Sequence, residues 1–175
     1  LRLLIGFAKN TTMDLIIEKA VECGATEITP VVTKHSVVRP KPAELEKYQH
    51  RWLKIVEGAM EQSEQLWSPV VTSPVAFEKW STEKPSISSV VFATENRMAA
   101  DYDEKTKLIQ TVKLLSHTDG VQVLIGPEGG WSDAELLTLA GLGFSQASLG
   151  QAVLRVETAV IAVLTLAKFC RVTQV

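Results

Sequence analysis

Leu124-Ile125-Gly126-Pro127-Glu128-Gly129-Gly130-Trp131-Ser132 is the stretch on which the reading of this chain turns. It continues Val121-Gln122-Val123, and the apolar run that results is of buried-strand type. It leads into Ser132-Asp133-Ala134-Glu135, a capping-box pattern that opens a helix. A strand that breaks into glycines and a proline before a helix begins is a place where backbone can approach a ligand. Gly126, Gly129 and Gly130 carry no Cβ, so their amides and carbonyls can face one directly. An ordinary βα turn uses the same residues, and this loop alone leaves both readings open.

Outward from that loop, strand and helix patterns alternate. Strand-like runs fall at 1–7, 27–33, 87–93, 121–125 and 144–148. Helical spacing falls at 13–23, 43–65, 101–115, 132–140 and 152–170. Thr11 or Thr12 is the expected cap of the first helix, and Gly24 its stop. Pro30 marks an edge or a bend in the second strand. Val70-Val71 reads as a short strand, and 74–80 as a short helix. Apolar strands alternating with helices predict an α/β fold, a parallel sheet covered on both faces. Ligands of such sheets sit beyond the carboxyl ends of the strands. Three ends stand out: Thr94-Glu95, Gly126 to Gly130, and Leu149-Gly150.

The 175 residues suit a single domain, and 46% hydrophobic with 22% charged residues is the balance of a folded soluble protein. A net charge of −2 does not announce a nucleic-acid partner, so RNA contact would need a local basic patch. Lys9, Lys34, His35 and Arg39 are the candidates, with a solvated face as the alternative. Cys23 and Cys170 stand far apart and outside any metal spacing, which points to a reducing, cytoplasmic setting. No leader is expected at 1–6, and the apolar stretch 158–167 is too short to span a membrane. His35, His50 and His117 are scattered, so no metal is expected.

The glycine loop is neither a P-loop nor a dinucleotide fingerprint, and no residue sits in a nucleophile elbow. Glu128 inside it would repel a phosphate and suits a neutral or cationic ligand better. A second notable stretch runs Leu149-Gly150-Gln151-Ala152-Val153-Leu154-Arg155-Val156-Glu157-Thr158-Ala159. Arg155 and Glu157 open a helix that is otherwise apolar; a surface-facing first turn or an Arg–Glu pair would explain them without function. Trp131 is expected in the core rather than at an interface.

Taken together, Ile125-Gly126-Pro127-Glu128-Gly129-Gly130, Leu149-Gly150 and Leu154-Arg155-Val156-Glu157-Thr158-Ala159 resemble the RsmE family of ribosomal RNA methyltransferases. The first half agrees in order: Lys9, Met13-Asp14, Lys19-Ala20, Glu22, Gly24, Thr33, Ser36-Val37-Val38 and Glu61-Gln62-Ser63. The resemblance runs essentially end to end. It implies the SPOUT class, an α/β knot with a C-terminal trefoil knot, which connection rules would argue against. It further implies S-adenosylmethionine as cofactor, a homodimer with sites near the interface, and methylation of a uridine N3 in small-subunit ribosomal RNA. Family members usually carry an N-terminal PUA-like barrel. Residues 1–175 are therefore expected to be the catalytic SPOUT domain alone, without it.

On this resemblance the cofactor would be held by Thr94 and Glu95, by Leu124, Ile125, Gly126, Pro127, Glu128, Gly129 and Gly130, and by Ser148, Leu149, Gly150, Val153 and Leu154. Leu124, Leu149, Val153 and Leu154 would lie against the adenine. Arg155 is the expected catalytic residue and also touches RNA, because uridine N3 must lose its proton and a guanidinium suits the charge that spreads to the ring oxygens. Glu157 would orient it, and Glu128 or Glu95 are weaker candidates for the base. Lys9, Lys34, His35 and Arg39 would meet the substrate RNA. The family commonly has arginine where this chain has His35, Gln65 and Ala152, positions expected to face RNA or the site mouth. Those replacements lower the expected affinity for RNA. Two other classes stay open: an RNA-binding module of this kind that has lost catalysis, or acts on another base, and a binding protein for some other nucleotide.

Overall fold

Strand β1 (Arg2–Gly6) lies inside a seven-stranded sheet, between β2 (Glu27–Val32) and β6 (Val121–Ile125). The structure is a computed structural model and describes residues 1–82, 87–92, 104–116 and 120–172. Beyond β2 come the short strands β3 (Val70–Val71) and β4 (Val75–Ala76); beyond β6 come β5 (Ser88–Phe92) and β7 (Ser145–Ala147). Every pairing is parallel, as the apolar strands predicted.

Pro30 is no terminus; it sits within β2 opposite Ile5. Ile28 O accepts from Thr72 N on the outer side, and Val31 O accepts from Phe7 N on the β1 side. Backbone groups alternate between neighbours, so the donorless nitrogen of Pro30 points outward, into the gap between β3 and β4.

Two cores cover the sheet. On one face Leu3, Ile5, Val123 and Ile125 pack against α1 (Asn10–Glu22) and α6 (Val156–Val172), through Ile16, Ile17, Val160 and Leu164. The amphipathic helix α2 (Leu45–Gln62) adds Trp52, Val56 and Ala59 to it, with Phe7 meeting Tyr48 edge-on at 5.4 Å. The helix α4 (Glu104–Leu115) packs against α6. On the other face Leu4, Val91 and Leu124 meet Phe77 of α3 (Phe77–Trp80) and Leu139 of α5 (Asp133–Gly141).

Among the helix starts that differ from expectation, two bear on the site. α1 begins at Asn10, with Lys9 as its cap and no side-chain cap bond, so Thr11 and Thr12 lie inside the first turn. Burial of Phe7 and Ala8 sets the turn into the helix, and Met13 N closes on Lys9 O at 2.8 Å. α6 begins at Val156 rather than 152, because Gly150 takes a φ of +100° and only Ala159 N bonding to Arg155 O opens the helix. The segment freed in this way becomes a wall of the site.

Candidate functional site

The loops that follow β6 and β7, together with Phe92 at the end of β5, open on one cleft of about 720 Å³, with the first turn of α1 on its rim. Pro127 to Gly130 forms a tight turn, closed by Gly130 N on Pro127 O at 2.8 Å with φ +69° at Gly130. The turn is backed by β1. A Cβ built on Gly6 would stand 2.2 Å from Pro127 N. From the other side Trp131 covers Gly126, where a Cβ would meet the indole nitrogen at 3.1 Å. That nitrogen donates to Phe92 O at 3.2 Å, tying the loop after β6 to the end of β5. Trp131 is half-buried: its ring lies 6.1 Å from Phe77 in the second core, yet it also lines the cleft.

The second loop is fixed from below. Thr111 of α4 donates its hydroxyl to Ser148 O at 3.0 Å, and the buried Ser148 hydroxyl accepts from Gly150 N at 3.4 Å. Residues 151–155 then run across the cleft. Val153, 72% exposed, is an apolar side chain in this wall with little protein over it.

The two loops singled out in the sequence thus face a common space. Residues 125–130, and Ser148, Leu149, Gly150, Val153 and Leu154, all line it. Leu124 does not. Side chains alternate along a strand, and Leu124 falls on the opposite face, fully buried beside Leu4 and Leu139. Thr94 and Glu95 lie outside the described residues. Arg155 and Glu157 both line the cleft. Among the described residues no ion pair joins them, and none engages the exposed Arg155 guanidinium.

The basic residues divide. Lys9 lines the cleft, and its backbone N–H points at Glu128 Oε1, 3.5 Å away. Lys34, His35 and Arg39 sit in the loop after β2, on the outer side of the glycine turn. His35 Nδ1 is 3.1 Å from Gly129 O, so that carbonyl faces the imidazole rather than the cleft. Arg39 donates to Thr33 O and Lys34 O, closing its own loop. Of the three positions expected to face RNA, Ala152 lines the cleft and His35 abuts the turn. Gln65 does not follow them. Its side-chain amide donates to Val21 O near the end of α1, away from the carboxyl edge of the sheet, and its buried Oε1 has no partner among the described residues.

Sequence reasoning missed Thr12, Phe92, Leu136, Val156 and Ala159 as lining residues. Phe92 was within reach of the alternation rule, since it pairs with Ile125 and shares its face. Thr12 had no local signal.

Among the described residues no group of His, Cys, Asp and Glu could hold a metal, and no helix is long and apolar enough to cross a membrane. The family model for an RNA methyltransferase domain matches residues 1–168. The chain belongs to this RNA methyltransferase domain family. Among curated relatives of the domain, the ribosomal RNA small subunit methyltransferase E of Synechocystis is 33% identical over 162 residues, covering 90% of this chain and 49% of that protein. The namesake from Bacillus subtilis is 29% identical, covering 88% of this chain and 59% of its own length. This methyltransferase domain thus spans about half to three fifths of the length of those relatives. Among solved structures, the Neisseria gonorrhoeae methyltransferase E bound to S-adenosyl methionine superposes with a TM-score of 0.75 at 27% identity, covering 97% of this chain and 66% of that one. A putative methyltransferase from Legionella pneumophila in complex with SAM gives 0.78 at 29% identity, covering 98% and 67%.

Proposed function

We propose that this domain is the catalytic part of an S-adenosylmethionine-dependent methyltransferase that modifies N3 of a uridine in small-subunit ribosomal RNA. The observation that carries the reading is the cleft itself: both glycine loops open into it, and on its wall stands Arg155, which no ion pair engages among the described residues. The residues present suit the cofactor. Leu149, Val153, Leu154 and Ile125 offer apolar surface for an adenine. The backbone of 126–130 and 148–150 lines the cleft, and its glycines put no side chain in the way. Glu128 and Glu157 offer negative charge to a sulfonium, and a phosphate ligand would find them repulsive.

When bound, the group supplies an electrophilic methyl carbon. The chain's own contribution is positioning, in which the two loops fix the donor and the rim fixes the base. Arg155 would hold the ring oxygens as N3 loses its proton. Lys9 on the rim, with Lys34, His35 and Arg39 on the adjoining loop, would meet the RNA backbone.

The accompanying proposals are a C-terminal trefoil knot, a cytoplasmic setting, and a homodimer. Ile109 and Val112 of α4 and Ile161 of α6 are 46%, 41% and 40% exposed, an apolar strip that a second copy would cover. Trp131 is engaged internally and takes no part in this strip. Light scattering of this chain at micromolar concentration is expected to return twice the monomer mass; a monomer would contradict the dimer.

Calorimetry with S-adenosylmethionine is expected to show binding that chelator leaves unchanged. Absence of binding, or dependence on added metal, would sink the cofactor assignment. Methyl transfer to small-subunit RNA or particles tests the rest. Binding without transfer would favour a second reading, an RNA-binding module without catalysis, which the His35 and Ala152 replacements at the site mouth support.

A further inference from the structure

Glu135 opens α5 and is only 6% exposed. Its Oε2 does what a capping-box glutamate does, accepting from Ser132 N at 2.9 Å and from the Ser132 hydroxyl at 2.8 Å. Its Oε1 has no part in the cap. It accepts from the backbone N–H of Lys34 at 2.8 Å, across 101 residues of sequence. A cap needs no such partner. One buried carboxylate therefore joins the end of the glycine loop to the basic loop after β2.

The basic loop is tied together by its own hydrogen bonds. Thr33 and Ser36 are buried, with Thr33 N bonded to Ser36 Oγ at 3.0 Å and the two hydroxyls 3.1 Å apart. Arg39 closes it on Thr33 O and Lys34 O. Its second contact with the glycine turn is His35, packed so closely that a Cβ on Gly129 would fall 2.8 Å from His35 Cβ. Glu135 and His35 are thus the loop's two contacts with the glycine turn, while Val38 packs its far end against the first core.

We propose that Glu135 is a positioning residue that latches the 33–39 loop to the glycine turn and so sets the RNA-facing side of the site. The latch rests on geometry; its effect on substrate rests on the RNA methyltransferase reading. Glu135→Gln separates its two tasks. A carboxamide has one oxygen. Kept on Ser132, that oxygen leaves an NH2 against the Lys34 N–H, donor facing donor. Ser132→Ala does the reverse, weakening the cap and leaving the latch.

The first readout is amide hydrogen exchange on the intact chain without cofactor or RNA. Glu135→Gln is expected to speed exchange at Lys34 by about tenfold or more, since a hydrogen bond to a charged group is lost, while Ser132→Ala leaves it near wild type. Unchanged exchange in Glu135→Gln, or equal acceleration in Ser132→Ala, would reduce Glu135 to a helix cap and overturn the proposal. Should Glu135→Gln not fold, Lys34→Pro deletes the same bond from the other side, and faster exchange at Gly129 and Gly130 replaces the readout. The second readout is kinetic. KM for RNA is expected to rise about tenfold in Glu135→Gln with kcat close to wild type. A loosened loop with unchanged KM would end the positioning role. Wild-type chain that bound no S-adenosylmethionine would sink the functional reading while leaving the exchange result standing.

Discussion

Arg155→Ala is expected to keep most of the cofactor affinity and to lose methyl transfer by a factor of about a hundred to a thousand. The residue stands at the cleft wall just before α6, its carbonyl opening the helix and its side chain exposed. The sequence allowed an Arg–Glu pair tying down the helix start, but no such pair with Glu157 occurs among the described residues. A guanidinium held near the acceptor base stabilises the charge that appears on the ring oxygens, and this interaction grows toward the transition state. Arg155→Lys is expected to rescue poorly, because a point charge lacks the planar fork. Glu157→Gln should cost less, as Glu157 lines the cleft without gripping the arginine. Single-turnover methylation and thermal unfolding, measured on all three variants, check the claim. A stable Arg155→Ala protein with near wild-type turnover would end the catalytic assignment.

The largest stability effect is expected at Gly6. The Cβ of an alanine there would lie 2.2 Å from Pro127 N, 2.3 Å from Pro127 Cδ and 2.7 Å from Gly126 C. Two of these are backbone atoms and the third belongs to a ring, so no rotamer change relieves the clash. β1 and β6 are hydrogen-bonded neighbours just before this point, with Ile5 opposite Ile125. Either their ends part or the glycine turn shifts into the cleft. Gly6→Ala is expected to cost about 3 kcal/mol or more, at the upper end of what overpacking costs. Denaturant unfolding reads the stability and calorimetry reads the cofactor. A variant as stable as wild type with full affinity would show that the turn yields easily.

The sheet was legible because its strands announce themselves. The run from Val121 to Ile125 is buried at every position, and the Ser132–Glu135 capping box forms as its spacing says. That the two glycine loops would face a common space was legible for the same reason, since each follows a strand in a parallel sheet. What escaped depends on tertiary neighbours. The start of α1 is set by burial of Phe7 and Ala8, which outweighs the hydroxyls of Thr11 and Thr12. Residues 152–155 have helical spacing, but Gly150 turns them along the cleft instead. Gln65 shares no local pattern that would tell the bottom of the sheet from its top; only its bond to Val21 places it. Glu135 read as a cap and nothing more, because Lys34 is distant in sequence.

The pairing of β1 with β6 has a consequence for how the domain comes into being. Arg2 lies beside Gln122, so strands far apart in the sequence are neighbours in the middle of the sheet. β1 and β2, joined through α1 alone, can meet early at small entropic cost. β6 must instead close a loop containing most of the chain, and long-range closure of that kind slows folding. The cleft straddles this seam, with Lys9 and Thr12 on one bank and 125–131 on the other. A nascent chain on the ribosome would therefore have no partial binding site. Ligand affinity would arrive late, once β6 has docked beside β1 and residues 148–157 have closed the cleft.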